Sequence, residues 1–324
     1  MKYLLFVLLI SLPLLAQDNN PKPPADTSYS PNSEFEKLQK KFPFIKVVVP
    51  GVPDNITVKE NLVYKDYGER KLHLDLFYAD NKTSGSLPVV ILIHGGGWRL
   101  GNKSLEQAMA VELASNGYIA AAVEYRLSPE AKYPAGVFDL KEAIKWLKKN
   151  ADEYNIDTNK IAAAGESAGG TLAALLGTTG SMKEFEAADQ QGYSSDIHAI
   201  VDIDGILDFT HPAESGKDTI PGKSSAGKAW FGASYKENPD LWRSASPFVY
   251  AGENTPPVIF INSADERFQA GRDVFIERIK PHNIYYEVHA IPDTPHGFWM
   301  FHPWFDQTSE YVITFLDKVL KGKE

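Results

Sequence analysis

The apolar positions of the chain fall into short continuous runs separated by segments of helical length. Five runs consist almost wholly of aliphatic residues, at 89–93, 119–123, 161–164, 199–203 and 258–261. Continuous apolar runs are typical of strands that are covered on both faces of a sheet. The longer segments predict helices at 105–115, 139–149, 169–176, 270–280 and 305–320. This alternation predicts an α/β fold with a mostly parallel central sheet flanked by helices on both faces.

A further strand, at residues 72–76, has a different pattern. Leu72, Leu74 and Leu76 alternate with polar residues, which predicts an edge strand with one buried face. In parallel α/β sheets, ligands bind beyond the carboxyl ends of the strands. The residues directly after each apolar run are therefore the candidates for a functional site.

The N-terminus predicts an export signal followed by an extension. Lys2 precedes a short apolar run, and residues 1–16 are therefore predicted to be a signal peptide for a secreted or periplasmic protein. An uncleaved membrane anchor is the alternative, although the run is short for a bilayer span. Residues 17–56 are predicted to be an extension or linker. Its first part, from residue 17 to about 33, is rich in Pro, Asn, Asp and Ser, which favours disorder. Residues 57–324 are predicted to form the folded domain.

Charge and cysteine content narrow the chemistry. The formal net charge is −9 at pH 7, which argues against a nucleic-acid partner. The chain contains no cysteine, so disulfides, cysteine-ligated zinc and a cysteine nucleophile are excluded. The pair His211 and Glu214 lacks further metal-binding residues nearby, and neither a metal nor a cofactor is expected.

The strongest candidate for chemistry is a serine in the sequence G-E-S-A-G at residues 165–169. It matches the G-x-S-x-G pattern, directly after the strand at 161–164 and before a predicted helix. A serine hydroxyl reacts only when it is exposed, rigidly held and paired with a base, and a sharp strand-to-helix turn provides the first two conditions. Ser167 is therefore the predicted nucleophile.

Three consecutive glycines follow the first of the five apolar runs, in the sequence H-G-G-G-W. Without side chains, their backbone amides can approach a substrate oxygen closely. The amides of Gly96 and Gly97, together with that of Ala168, are predicted to form an oxyanion hole. His94 is expected to brace this loop rather than to titrate. A phosphate-binding loop is excluded, because the glycine and lysine spacing that it requires is missing.

The base and the acid are expected on loops that follow the last strands. His296 lies after the last predicted strand and is the predicted base, with His302 as the alternative. Asp265 follows the strand before it and is the predicted acid, with Asp273 as the alternative. The acid would fix the histidine tautomer and stabilise the protonated imidazole.

Taken in order, these segments resemble the α/β-hydrolase superfamily and, within it, the hormone-sensitive-lipase-like and acetyl-esterase group. The resemblance runs from about residue 60 to the C-terminus and rests on the glycine loop, the nucleophile motif and the segments 125–130 and 133–139. The stretches 292–299 and 303–305 are similar to secreted bacterial esterases that deacetylate plant polysaccharides, and to feruloyl esterases. Glu166 stands where the lipase-like group more often has Asp, and relatives vary around Asp265.

The resemblance implies a serine carboxylic ester hydrolase. It would remove short acyl groups, acetyl first and feruloyl second, from plant polysaccharide, oligosaccharide or small esters through an acyl-enzyme, without stable membrane association after signal cleavage. The motifs place Trp98 and Trp299 at the walls of the site, as predicted substrate contacts. The aromatic residues of segment 208–248 either pack locally or line a pocket. A secreted serine peptidase and a catalytically silent carbohydrate-binding relative are the alternatives.

Overall fold

The computed structural model describes residues 28–80, 85–180, 182–186, 192–219 and 224–323, and the predicted signal peptide lies outside these ranges. The strands are β1 (Lys46–Val47), β2 (Ile56–Asp66), β3 (Lys71–Ala79), β4 (Leu87–Ile93), β5 (Ile119–Val123), β6 (Ile156–Glu166), β7 (Ala199–Ile203), β8 (Val258–Asn262), β9 (Tyr286–Ala290) and β10 (Phe301–His302). The helices are α1 (Pro31–Leu38), α2 (Gln107–Ser115), α3 (Ala135–Lys149), α4 (Ala151–Tyr154), α5 (Ala168–Thr179), α6 (Pro212–Ser215), α7 (Ala226–Phe231), α8 (Pro239–Ser244), α9 (Arg272–Ile279) and α10 (Trp304–Lys321).

Eight strands form one sheet in the order β2-β3-β5-β4-β6-β7-β8-β9. The pairs β2–β3 and β3–β5 are antiparallel, and the remaining neighbours are parallel. Alternate side chains of the central strands enter two apolar clusters, so that Ile91 lies in one and Leu92 in the other. Helices α3, α5 and α9 contribute to the first cluster, and α2 and α10 to the second. The predicted mostly parallel sheet with helices on both faces is confirmed.

The prediction of an edge strand at residues 72–76 is wrong. These residues lie in β3, which has β2 on one side and β5 on the other. The sequence pattern does not reveal β2, because its polar residues outnumber its apolar ones and two irregularities interrupt its pairing with β3. The register shifts break the strict alternation on which strand prediction depends.

The N-terminal extension contains ordered elements within the range predicted as a linker. Helix α1 begins at Pro31, inside the segment expected to be disordered, and Ser30 caps it. Strand β1 pairs with β10, so that Lys46 lies opposite His302. Phe42 packs edge-on against Trp304 at a ring distance of 5.2 Å. These contacts attach the extension to the C-terminal part of the chain.

The segment between β7 and β8 contributes an aromatic cluster rather than an open loop. Trp230 and Trp242 are buried, and Phe209 lies within contact distance of both rings. Trp98 from the glycine loop stacks on Trp230 at 4.4 Å. The segment therefore packs locally and also supports the loop that carries the glycines. Within the described part of the chain, no helix is long and apolar enough to cross a membrane.

Candidate active site

Ser167 lies on a sharp turn between β6 and α5. Its φ of 54° falls in the left-handed region, which a non-glycine residue adopts only under local constraint. The constraint comes from close packing: a Cβ on Gly169 would lie 1.8 Å from the carbonyl oxygen of Ile93, so only glycine fits there. The Ser167 amide also donates to the Ile203 carbonyl at 2.8 Å. The turn is thereby fixed against the carboxyl ends of both neighbouring strands, β4 and β7.

A chain of two hydrogen bonds connects Ser167 to a buried carboxylate through His296. The Ser167 Oγ lies 2.9 Å from His296 Nε2, and His296 Nδ1 lies 2.9 Å from Asp204 Oδ2. Asp204 is fully buried, and its other carboxylate oxygen accepts the Ser263 amide at 2.7 Å. Because a carboxylate only accepts hydrogen bonds, Nδ1 carries the imidazole proton and Nε2 is left to accept one from the serine. The structure thus brings the predicted nucleophile and base together.

The predicted acids do not take part in this chain, and this prediction is corrected. Asp265 is exposed, and its carboxylate accepts the Arg267 amide at 3.0 Å within its own turn. Asp273 is exposed on α9 and pairs with its neighbour Arg272 at 2.9 Å. The acid at His296 comes from the end of β7 instead, where Asp204 adopts a φ of 53°.

The sequence contains a signal for Asp204, which the prediction missed. Asp204 directly follows the apolar run 199–203, in the position from which the other site residues were drawn. The prediction places the acid after the strand at 258–261, one strand further along the chain. The runner-up base, His302, pairs with Asp306 at 2.8 Å and is partly exposed.

The predicted oxyanion residues line the same cavity as the serine. This reaction cavity has a volume of about 200 Å³ and includes Gly96, Gly97, Ser167, Ala168 and His296 in its walls. Among the described residues, the amides of the two glycines donate to no other group. The Ala168 amide is in the first turn of α5, where N–H groups have no acceptor within the helix. Three donors are therefore available to a ligand oxygen.

His94 supports the glycine loop. Burial lowers the pKa of its imidazole to about 4, so it is neutral at ordinary pH. Its ring stacks on Tyr125 at 4.6 Å, and the Tyr125 hydroxyl donates to the His94 carbonyl at 3.0 Å. These contacts agree with the expectation that His94 braces the loop.

The two predicted substrate contacts lie in different cavities. Trp98 lines the reaction cavity, where Phe268 also lies with its ring stacked on His296 at 3.6 Å. Trp299 contacts His296 edge-on at 5.0 Å but lines a second cavity of about 210 Å³, which Glu166 also borders. His296 is thus held between Phe268 and Trp299.

Buried carboxyls surround the turn. Glu166 and Glu106 are 5% and 2% exposed, and burial raises the pKa of Glu166 to about 7 and that of Glu106 well above its usual range. The pair therefore retains a proton at neutral pH, which limits the negative charge next to Ser167. Burial, and then the charge of Asp204, raise the pKa of Asp202 to about 7.

The raised pKa of Asp202 predicts a pH-dependent loss of stability. A carboxyl whose pKa is raised in the folded state contributes its full stabilisation at pH values below its pKa in the unfolded state, which is about 4. That contribution is lost as the pH rises through the folded value. Asp202→Asn, which mimics the protonated form, should therefore lose less unfolding free energy than the wild type between pH 4.5 and 8, by on the order of 2 kcal/mol. Urea unfolding at both pH values measures this difference.

The exposed carboxyl Asp54 offers a matched control for this experiment, since Asp54→Asn removes the same charge without burial. Its unfolding free energy should follow that of the wild type at both pH values. Parallel pH profiles for wild type and Asp202→Asn would contradict the assignment.

Among the residues that the structure describes, no group of three or more His, Cys, Asp or Glu is placed to hold a metal ion.

Several known esterases are similar in sequence to this chain over part of their length. The chain is 29% identical to esterase LipC of Mycobacterium tuberculosis over 192 residues, which cover 59% of this chain and 47% of LipC. It is 35% identical over 152 residues to the probable carboxylic ester hydrolase LipM of the same organism, covering 46% of this chain and 35% of LipM. The chain thus spans less than half the length of these relatives.

Solved structures share the fold over most of the chain. Esterase 2 of Thermogutta terrifontis with propionate bound superposes with a TM-score of 0.65 at 26% identity, covering 83% of this chain and 96% of that one. A bifunctional GH43-CE protein of Bacteroides eggerthii gives a TM-score of 0.68 at 26% identity, covering 81% of this chain and 38% of that one. The BD-FAE family profile matches residues 74–270. Because this match covers more than half of the chain, the protein belongs to the BD-FAE family, within the esterase group of the α/β-hydrolases.

Proposed function

We propose that this protein is a serine carboxylic ester hydrolase that removes short acyl groups, acetyl first and feruloyl second, from plant polysaccharide, oligosaccharide or small esters. The observation that carries the proposal is the hydrogen-bonded chain from Ser167 through His296 to Asp204, which opens into a cavity lined by free backbone amides. Esterases among the sequence relatives and the propionate-bound structural relative support the same reaction class.

The first step of the reaction follows from the proton positions. His296 Nε2 takes the proton of Ser167 as the serine oxygen attacks the ester carbonyl, and Asp204 stabilises the imidazolium that forms. The carbonyl oxygen becomes negatively charged and is held by the amides of Gly96, Gly97 and Ala168. Donors of this kind contribute roughly 10²–10³ in rate each.

The second step reverses these roles. His296 gives its proton to the departing alcohol oxygen, which leaves the acyl group on Ser167. Water then enters, loses a proton to the same Nε2 and attacks the acyl carbonyl, which releases the acid and restores the serine. The protonated Glu106–Glu166 pair keeps further negative charge away from the developing oxyanion.

The test is hydrolysis of 4-nitrophenyl acetate, butyrate and octanoate, alongside methyl ferulate and acetylated xylan. We expect turnover of the acetate, release of acetate from xylan, and a decline of kcat/KM toward octanoate. A peptide substrate measures the competing activity of serine peptidases. Cleavage of the peptide with no ester turnover would contradict the proposal, as would the absence of hydrolysis of every substrate.

We also propose that the protein is exported, to the periplasm or the medium, through residues 1–16. The supporting observation is the charged and then apolar pattern of that segment. N-terminal sequencing of the protein recovered from the producing cell should show a start after Ala16. An intact Met1 on protein in the cytoplasm would reject export.

A further inference from the structure

We propose that Tyr29, which the N-terminal extension carries, is a specificity-determining residue that closes the acyl side of the reaction cavity and favours acetyl over longer acyl groups. The inference rests on the proposed ester hydrolysis and goes beyond it by assigning the size limit to one side chain. The observation behind it is that Tyr29 lines two cavities at once, the reaction cavity and the second cavity of about 210 Å³.

The position of Tyr29 is fixed by the structure of the extension. Ser30, the next residue, caps helix α1, and the amide of each of Ser30 and Ser33 donates to the hydroxyl of the other. The Val48 amide donates to the Met300 carbonyl at 3.0 Å next to the β1–β10 pair. Tyr29 itself packs against the apolar cluster on that face of the sheet. The phenol ring is therefore held in place by the fold and acts as a wall.

The second cavity has the chemistry of an alkyl or aryl binding space. It borders the ring of Trp299, and most of its remaining walls are apolar, including Leu105, Ala108, Met109, Met300 and Phe305. Ligand cavities of this composition bury apolar groups and use few polar contacts. This space and the reaction cavity share Tyr29 as a lining residue.

The acyl group, rather than the alcohol, is the part of the substrate directed toward this space. A polysaccharide is far larger than about 210 Å³, so the sugar chain of a polymeric substrate must lie toward solvent. The side of the reaction cavity that Tyr29 lines then receives the acyl group. Loss of the Tyr29 ring would join the two cavities and give a longer acyl chain an apolar surface to bury.

The experiment compares acyl selectivity in two variants of Tyr29. Burial of each additional methylene is worth roughly a fourfold gain in binding. We therefore expect Tyr29→Ala to raise the ratio of kcat/KM for 4-nitrophenyl octanoate over acetate by at least about tenfold. Tyr29→Phe keeps the ring and should keep the wild-type ratio. An unchanged ratio in Tyr29→Ala, or an equal change in Tyr29→Phe, would overturn the proposal.

Two further variants separate cavity filling from a disturbed extension. Ala108 lies in the wall of the second cavity, and Ala108→Leu added to Tyr29→Ala should reduce the gain on octanoate because it fills that space. Tyr193 is exposed, and Tyr193→Ala should match the wild type on both esters. If the gain of Tyr29→Ala on octanoate is unchanged when Ala108→Leu is added, this would contradict the proposal that the acyl chain enters the second cavity. Absence of any acetate hydrolysis in the wild type would instead reject the ester hydrolase itself.

Discussion

Replacement of Ser167 by alanine is expected to abolish ester turnover while the protein remains folded. Ser167 Oγ is the atom that attacks the ester carbonyl in the proposed reaction. Among the described residues, its hydroxyl is the only one that is hydrogen-bonded to His296. Loss of such a nucleophile lowers kcat by roughly 10⁶-fold and leaves only the contribution of binding and the oxyanion hole. The measurement is the steady-state rate on 4-nitrophenyl acetate, together with the unfolding midpoint.

The exposed Ser224 supplies a matched control, because Ser224→Ala removes a hydroxyl of the same kind outside the site. That variant should retain wild-type kcat and KM. A Ser167→Ala protein that works within about tenfold of the wild type would show that another group performs the attack. Mass spectrometry after treatment with an organophosphonate adds a second readout, since the wild type and Ser224→Ala should gain the adduct mass and Ser167→Ala should not.

Asp204→Asn is expected to lower kcat by about 10⁴-fold with a small effect on KM. An asparagine would keep an oxygen for the Ser263 amide but would present a donor group to His296 Nδ1. The imidazole would then favour the tautomer with its proton on Nε2, which cannot accept the proton of Ser167. The loss belongs to the chemical step because substrate binding does not require this tautomer.

Asp265→Asn and Asp273→Asn are the controls that decide between the acids. Both carboxylates are exposed and make their contacts within their own turns, so each variant should stay near the wild-type kcat. If Asp265→Asn loses activity as Asp204→Asn does, the acid predicted from the sequence would be reinstated. Thermal unfolding of all three variants separates a catalytic loss from a folding defect, which matters because Asp204 is fully buried.

The sequence by itself determined the architecture and the local parts of the site. Apolar runs such as 89–93 and 161–164 predict central strands because both of their faces must be covered. Ser167 and the oxyanion glycines can be predicted because a few consecutive residues form each turn, and the sequence shows the glycines that these turns require. His296 can be predicted because it follows the last strand of the sheet. Each of these features depends on neighbours along the chain.

Only the tertiary structure decided the acid and the outer walls of the site. Asp204 is separated from His296 by 92 positions, and its selection depends on how the ends of β7 and β8 meet, where the Ser263 amide fixes its carboxylate. Tyr29 reaches the site because β1 pairs with β10, a contact between opposite ends of the chain. Contacts between residues that are far apart in the chain leave no periodic pattern in the sequence. The residues that make them depart from the pattern of apolar and polar positions of their own segment.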